Sequence, residues 1–275
     1  MIVDREQIRA WLAEDVGSGD VTAAIIPPQR RARGQVITRE PMVLCGREGF
    51  EAVFAEVDPA CRIDWQVAEG DQVPADTVLC RLEGPARALL TAERTALNFL
   101  QTVSATATVT RRYAEAVAGT GTVVLDTRKT IPGLRRWQKY AVEVGGGVNH
   151  RMGLYDGILI KENHIAAAGS IRAAVRQARG LETGLPVQVE VESLTELEEA
   201  LAAGADLILL DNFSLEDLRA AVRLTAGRAL LEASGNIDLD NIRQVAETVV
   251  DRISIGALTK HVRAVDLSMR ITLLA

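Results

Sequence analysis

The chain has 275 residues, enough for one large domain or two smaller ones, with 48% hydrophobic and 25% charged residues, an ordinary globular balance. Its net charge of −6 argues against a nucleic-acid role for the whole protein, and no apolar run is long enough to span a bilayer. The acidic, amphipathic start, MIVDREQIRAWLAEDVG, lacks the basic and apolar regions of a signal peptide, so a soluble, cytoplasmic protein is expected.

In chain order, a short helix is predicted from Arg5 to Glu14, followed by Gly17-Ser18-Gly19-Asp20. Strands are predicted at Gly34–Arg39, Arg62–Val67 and Thr77–Leu82, with a helix over Gly49–Val57. Cys45, Cys61 and Cys80 show no CxxC spacing and no nearby histidine, so free thiols are expected. A long helix follows from about Ala86 to Ala118, where Leu89, Ala92, Ala96, Leu97, Leu100, Val103 and Ala107 recur at helical spacing until Gly119 and Gly121 stop it.

Beyond Gly121 short apolar runs alternate with amphipathic helices. The runs are Val123–Leu125, Ile158–Ile160, Val187–Val191, Leu207–Leu210, Ala229–Leu231 and Ile253–Ile255; the helices include Leu194–Ala203, Leu215–Leu224 and Leu239–Glu247. Repeated strand–helix units predict a parallel sheet. Almost every run ends in polar groups: Asp126-Thr127-Arg128-Lys129, Lys161-Glu162-Asn163-His164, Glu190-Val191-Glu192-Ser193, Asp211-Asn212, Glu232-Ala233-Ser234-Gly235-Asn236 and Gly256-Ala257. Six such ends favour a barrel with its site at the strand C-termini over an open doubly wound sheet.

Charge is unevenly placed. Residues 126–164 hold seven basic residues (Arg128, Lys129, Arg135, Arg136, Lys139, Arg151, Lys161) against four acids, leaving this stretch at +3 and the remainder at −9. A cationic island in an acidic chain suits a small polyanion. Arg128-Lys129 is a repelling pair that an anion would relieve, although a solvated loop would also accommodate it. His150-Arg151 follow Gly145-Gly146-Gly147, which either brings backbone close to a ligand or ends a helix. Lys161 either snorkels or points into a barrel mouth. Glu190 and Asp211 need cations, Mg²⁺ or sugar hydroxyls, with internal ion pairing as the alternative. Ser234-Gly235-Asn236 and Gly256-Ala257 suit a phosphate, or simple turns.

Several strings together resemble the quinolinate phosphoribosyltransferase family: Glu93-Arg94-Thr95-Ala96-Leu97-Asn98-Phe99, Asp126 through Gly133, Lys139-Tyr140-Ala141-Val142, Asn149-His150-Arg151, Leu159 through His164, Leu210-Asp211-Asn212 and Gly256 through His261. The resemblance covers nearly the whole chain. It implies an α/β fold with an N-terminal α/β sandwich domain (1–110, with the long connecting helix) and an incomplete parallel α/β-barrel (111–275), the last residues being able to return to the first domain. It implies that quinolinate and phosphoribosyl pyrophosphate give nicotinate mononucleotide, pyrophosphate and carbon dioxide in NAD synthesis. A relative using another acid, or one in molybdenum metabolism, is the alternative. Carried over, Arg128, Lys129, His150, Arg151, Lys161, Glu190 and Asp211 are the catalytic set. Arg94, Thr127, Ser234, Gly235, Asn236, Ile255, Gly256 and Ala257 bind substrate. Glu190 and Asp211 would face Mg²⁺ carried by the substrate. The resemblance also implies a homodimer, with Arg94 reaching into the neighbour's site; from the net charge and the lack of a spanning apolar run, no nucleic-acid or membrane partner is expected. Val148, Asn236 and Ser104-Ala105 depart from common family residues without removing a charged site residue.

Overall fold

The computed structural model describes residues 3–274. Contacts divide the chain into two units, one running through Val109 and regaining the segment from Val262, the other Thr110–His261.

The first unit starts with α1 (Arg5–Val16), capped by Asp4, whose carboxylate accepts from the Glu6 and Gln7 amides. After it come β1 (Arg31–Thr38), β2 (Met42–Val43), α2 (Arg47–Val57), β3 (Arg62–Trp65), β4 (Gln72–Val73) and β5 (Val78–Pro85), then the 31-residue α3 (Ala86–Ala116). The apolar stripe read on that helix is the buried one: Leu89, Ala92, Ala96, Leu97 and Leu100 join Phe50, Phe54, Val36 and Leu79 in a single core. Each large side chain buried there is worth about 1.5–3 kcal/mol.

The second unit is the strand–helix repeat. It comprises β6 (Val123–Leu125), α4 (Arg135–Val144), β7 (Ile158–Ile160), α5 (Glu162–Ala168), α6 (Ile171–Arg179), β8 (Val187–Val191), α7 (Leu194–Ala202), β9 (Leu207–Asp211), α8 (Leu215–Thr225), β10 (Leu230–Ser234), α9 (Ile242–Ala246), β11 (Arg252–Ser254) and α10 (Ala257–Lys260). The chain ends in β12 (Leu267–Leu273), which pairs antiparallel with β1 and completes the first unit's sheet in the order β12-β1-β5-β3.

The parallel sheet runs β6-β11-β10-β9-β8-β7. This is the cyclic order of a barrel, with the last strand laid beside the first, but no ladder joins β6 to β7. The free edge of β6 is partly occupied by the segment around Val148: its amide donates to Val124 O (2.8 Å), its carbonyl accepts from Asp126 N (3.2 Å), and Leu125 and Val148 form a parallel bridge. The barrel is therefore incomplete, with an irregular seam.

Two predicted boundaries shift for identifiable reasons. The run predicted as Ala229–Leu231 is β10, Leu230–Ser234, because its ladder with β9 continues through Ser234 opposite Asp211. Glu232 is thus a strand residue, not a loop residue. The helix predicted over Leu239–Glu247 is shorter because Asp238 and Asn241 form a hydrogen-bonded turn ahead of Ile242.

Candidate active site

The C-terminal ends of the six parallel strands carry the predicted polar residues. β6 leads into Asp126, Thr127, Arg128 and Lys129. Lys161 follows β7, Glu190 and Asp211 lie at the ends of β8 and β9, Ser234 ends β10, and Ile255-Gly256-Ala257 follow β11.

Arg128 and Arg151 are both half-buried cations near one another. Arg128 Nε is buried without a hydrogen-bond partner. Burial, and then the nearby Arg128 cation, push the Arg151 guanidinium below its ordinary value, and only Asp156 opposes them. Arg151 donates to Gly157 O (3.2 Å). Two half-buried guanidiniums, one with an unused donor, have the chemistry to receive a planar anion. Arg135 holds the loop beneath them, donating to Thr130 Oγ1 and to the Met152 and Arg128 carbonyls. Lys129 is an exposed residue whose side chain packs over Gly256, where a Cβ would lie 3.0 Å from Lys129 Cδ. Thr127 Oγ1 accepts from the Lys129 amide (3.0 Å), and Thr259 donates to Lys129 O (2.8 Å), so the β6 and β11 loops are tied together.

Lys161 and Glu190 are brought into direct ion contact across adjacent strands. Of the readings open for Glu190, internal pairing is the one this structure contains. The string that follows Lys161 turns into α5 at once: His164 Nδ1 accepts from Lys161 N (3.1 Å), and Asn163 donates to Glu162.

Asp211 accepts from Asn212 Nδ2 (2.8 Å), Asn212 Oδ1 accepts from Asn236 Nδ2 (3.1 Å), and Asn241 holds Asn236 O (2.9 Å). Gly235 sits at φ +94°, and a Cβ there would lie 2.2 Å from Asn212 Oδ1, so both the backbone and the close approach require glycine. Asn212 and Asn236 are themselves left-handed, at φ +56° and +49°. These loops line a cavity of about 310 Å³ with Ser234 and Gln244. Among the described residues no group of three or more His, Cys, Asp or Glu could hold a metal.

A buried polar cluster lies behind these strand ends. Asp126 and Lys139 are both fully buried and paired at 2.5 Å. Lys139, counted above in the cationic island, is thus neutralised inside the barrel and adds nothing to its mouth. Burial pushes the Asp126 carboxyl up, against the pull of Lys139 and the His150 amide. Asp126 Oδ1 accepts from His150 N (2.8 Å), and Lys139 donates to His150 O (2.9 Å). Deeper in, Gln188 bridges the His150 ring and Glu232. The available signal was the alternation Val187-Gln188-Val189-Glu190-Val191, which puts Gln188 and Glu190 on one face of β8.

The glycine run ends a helix, the second of its two readings. Gly145 caps α4, and a Cβ on Gly147 would meet Val142 and Thr110 methyls at 2.8 and 2.9 Å. Arg94 is exposed on α3 in the first unit.

Comparison with known proteins matches residues 20–104 to the N-terminal domain, and residues 106–270 to the C-terminal domain, of the quinolinate phosphoribosyl transferase family. A nicotinate-nucleotide pyrophosphorylase (carboxylating) of Mycobacterium leprae is 44% identical over 272 residues, covering 96% of each chain. A probable nicotinate-nucleotide pyrophosphorylase (carboxylating) of Bacillus subtilis is 38% identical over 98% of this chain and 93% of its own. The solved nicotinate-nucleotide pyrophosphorylase of Francisella tularensis superposes with a TM-score of 0.95 at 46% identity, covering 98% of both chains.

Proposed function

Because the chain belongs to the quinolinate phosphoribosyl transferase family, we propose that it is the enzyme converting quinolinate and phosphoribosyl pyrophosphate to nicotinate mononucleotide, pyrophosphate and carbon dioxide. The observation that carries the assignment to a two-carboxylate substrate is the Arg128–Arg151 pair, with its buried, unpartnered Nε at the barrel mouth.

The pyridine nitrogen attacks the anomeric carbon as the bond to pyrophosphate breaks. Glu190 and Asp211, at the ends of neighbouring strands, are suited to the positive charge developing on the ribose. The quaternary ring nitrogen then accepts the electron pair left when the adjacent carboxylate departs as carbon dioxide, and a proton replaces it on that ring carbon. Arg128, Lys129, His150, Arg151 and Lys161 would hold the anionic groups, with Lys161 exchanging Glu190 for a substrate oxygen. Thr127, the Ser234-Gly235-Asn236 loop and Ile255-Gly256-Ala257 would hold the phosphoribosyl phosphates. Mg²⁺ would enter with the pyrophosphate, facing Glu190 and Asp211, and supply charge neutralisation for the leaving group.

The working unit in this reading is a homodimer, each barrel completed by Arg94 of the partner subunit. No helix among the described residues is long and apolar enough to cross a membrane. Cys45, Cys61 and Cys80 are free thiols, consistent with a cytoplasmic enzyme.

The test follows pyrophosphate and carbon dioxide release by the purified protein with phosphoribosyl pyrophosphate and Mg²⁺, offering quinolinate or nicotinate; quinolinate turnover releases both products, whereas nicotinate turnover would release pyrophosphate alone. Release from quinolinate, with nicotinate inert, is expected. Turnover of nicotinate, or none of either, would overturn the reading in favour of a relative with another acid.

A further inference from the structure

His150 is held at four points. Its backbone is gripped by the Asp126–Lys139 pair, amide to carboxylate and carbonyl to ammonium. Both ring nitrogens are in contact. Nδ1 lies 2.7 Å from the Arg151 amide nitrogen, and Nε2 lies 3.0 Å from Gln188 Oε1 and 3.5 Å from Glu232 Oε2.

Donor–acceptor matching fixes every group along this line. Glu232 is 1% exposed in the middle of β10. Burial pushes its carboxyl up, but the hydrogen bond and charge attraction of His150, with hydrogen bonds from Gln188 and Ser254, outweigh burial and hold it below its ordinary value. An ionised carboxylate only accepts. Gln188, 4% exposed on β8, must therefore turn its NH₂ group to Glu232, and does so at 2.9 Å. Its Oε1 is left facing His150, which must donate from Nε2. Nδ1 then carries a lone pair, as the Arg151 N–H requires. Any ring proton on Nδ1 would set donor against donor.

We propose that Gln188 and Glu232 are positioning residues for the transferase reaction: they fix the His150 ring as its Nε2–H tautomer, and through its Nδ1 they seat the backbone of Arg151 at the anion pocket. The chain of contacts begins at a carboxylate inside the barrel and ends at a guanidinium-bearing residue of the mouth. Neither residue touches substrate. The proposal rests on the reading that His150 and Arg151 hold quinolinate.

The ring state can be read by ¹⁵N NMR, since the chain has only three histidines; His164→Gln and His261→Gln variants assign the signals. At about pH 8, above the ordinary imidazole range, the wild-type His150 ring should be Nε2–H. In Glu232→Gln, whose amide can also donate, Gln188 loses its enforced orientation and the two tautomers should mix. By analogy with the outer partners of metal-bound histidines, the KM for quinolinate should rise about ten-fold, with that for phosphoribosyl pyrophosphate unchanged. Gln188→Leu should raise the same KM alone. A wild-type ring protonated on Nδ1 would overturn the proposal, as would a Glu232→Gln protein with unaltered tautomer and quinolinate KM. The wild-type spectrum decides if neither variant folds. A wild-type protein inert towards quinolinate would sink the functional reading, while the tautomer would still test the relay.

Discussion

Replacing Lys139 with methionine isolates the buried ion pair. Both partners are fully excluded from solvent, and Asp126 Oδ2 has no hydrogen-bond partner, so Lys139 and the His150 amide are what the carboxylate has. Removing one member of a buried pair leaves an uncompensated charge, which costs about 3–5 kcal/mol. The His150 carbonyl also loses a donor, worth about 1 kcal/mol. A deficit of that size is a large share of the roughly 5–15 kcal/mol that holds a domain folded. Asp126 can escape part of it by taking up a proton, since its carboxyl is already pushed up by burial. The sign follows: with the folded value above the unfolded one, the native state binds more protons in that window, so the variant's deficit should shrink as the pH falls towards the ordinary carboxyl range. Trp137, buried on α4 two residues from Lys139, reports on this unit, and Trp11 and Trp65 can be replaced by phenylalanine. Urea unfolding of Lys139→Met followed by Trp137 fluorescence should show the full loss at neutral pH. Asp126→Leu with Lys139→Met should recover much of it. A loss below about 1 kcal/mol, or one growing in acid, would refute the reasoning.

Arg128→Lys keeps the charge but not the fork; losing one charge-assisted bond should raise the quinolinate KM on the order of ten-fold or more, measurable by steady-state kinetics. Gly235→Ala forces a Cβ against Asn212 at a left-handed position and should cost about 1–3 kcal/mol in thermal unfolding, with a higher KM for phosphoribosyl pyrophosphate. Glu232, held below its ordinary value of 4.5, contributes stability present above that pH and lost as the pH falls through the lower folded value; Glu232→Gln should flatten the acid limb of the unfolding midpoint against pH. If Arg94 serves the partner's barrel, mixing inactive Arg94→Ala and Lys161→Ala proteins should restore about one quarter of the sites, because half the dimers are mixed and each has one intact site. No recovery on mixing would place Arg94 within its own subunit's function or outside it.

The parts of the fold that were legible in the sequence are those governed by local periodicity. Leu89, Leu97 and Leu100 mark the buried stripe of α3, and four of the six parallel strands start at their predicted residue. The strand-end residues were legible because polar groups directly after an apolar run have few other uses. What stayed hidden depends on partners distant in sequence. Nothing near Lys139 distinguishes it from Arg136, yet one is buried against Asp126 and the other exposed. Nothing near Glu232 announces that Gln188, 44 residues away, will face it. The seam strand at Val148 is a single bridge and has no period to detect.

The location of the cationic island now has a structural cause. Residues 126–164 span the first strand–helix unit of the barrel, which passes β6 to β7 on either side of the open seam. No strand ladder closes that gap, so the returning backbone from Gly147 to Arg151 runs along the edge of β6 and must be held by side chains. Lys139 and Asp126 supply that hold, and Arg135 supplies it for the loop carrying Arg128. Basic residues are thus concentrated here for two separate reasons. Lys139 and Arg135 hold this backbone in place, and in the proposed function Arg128 and Arg151 serve the ligand. His150-Arg151 thus stand on a segment fixed by the Asp126–Lys139 pair and, through the His150 ring, by Gln188.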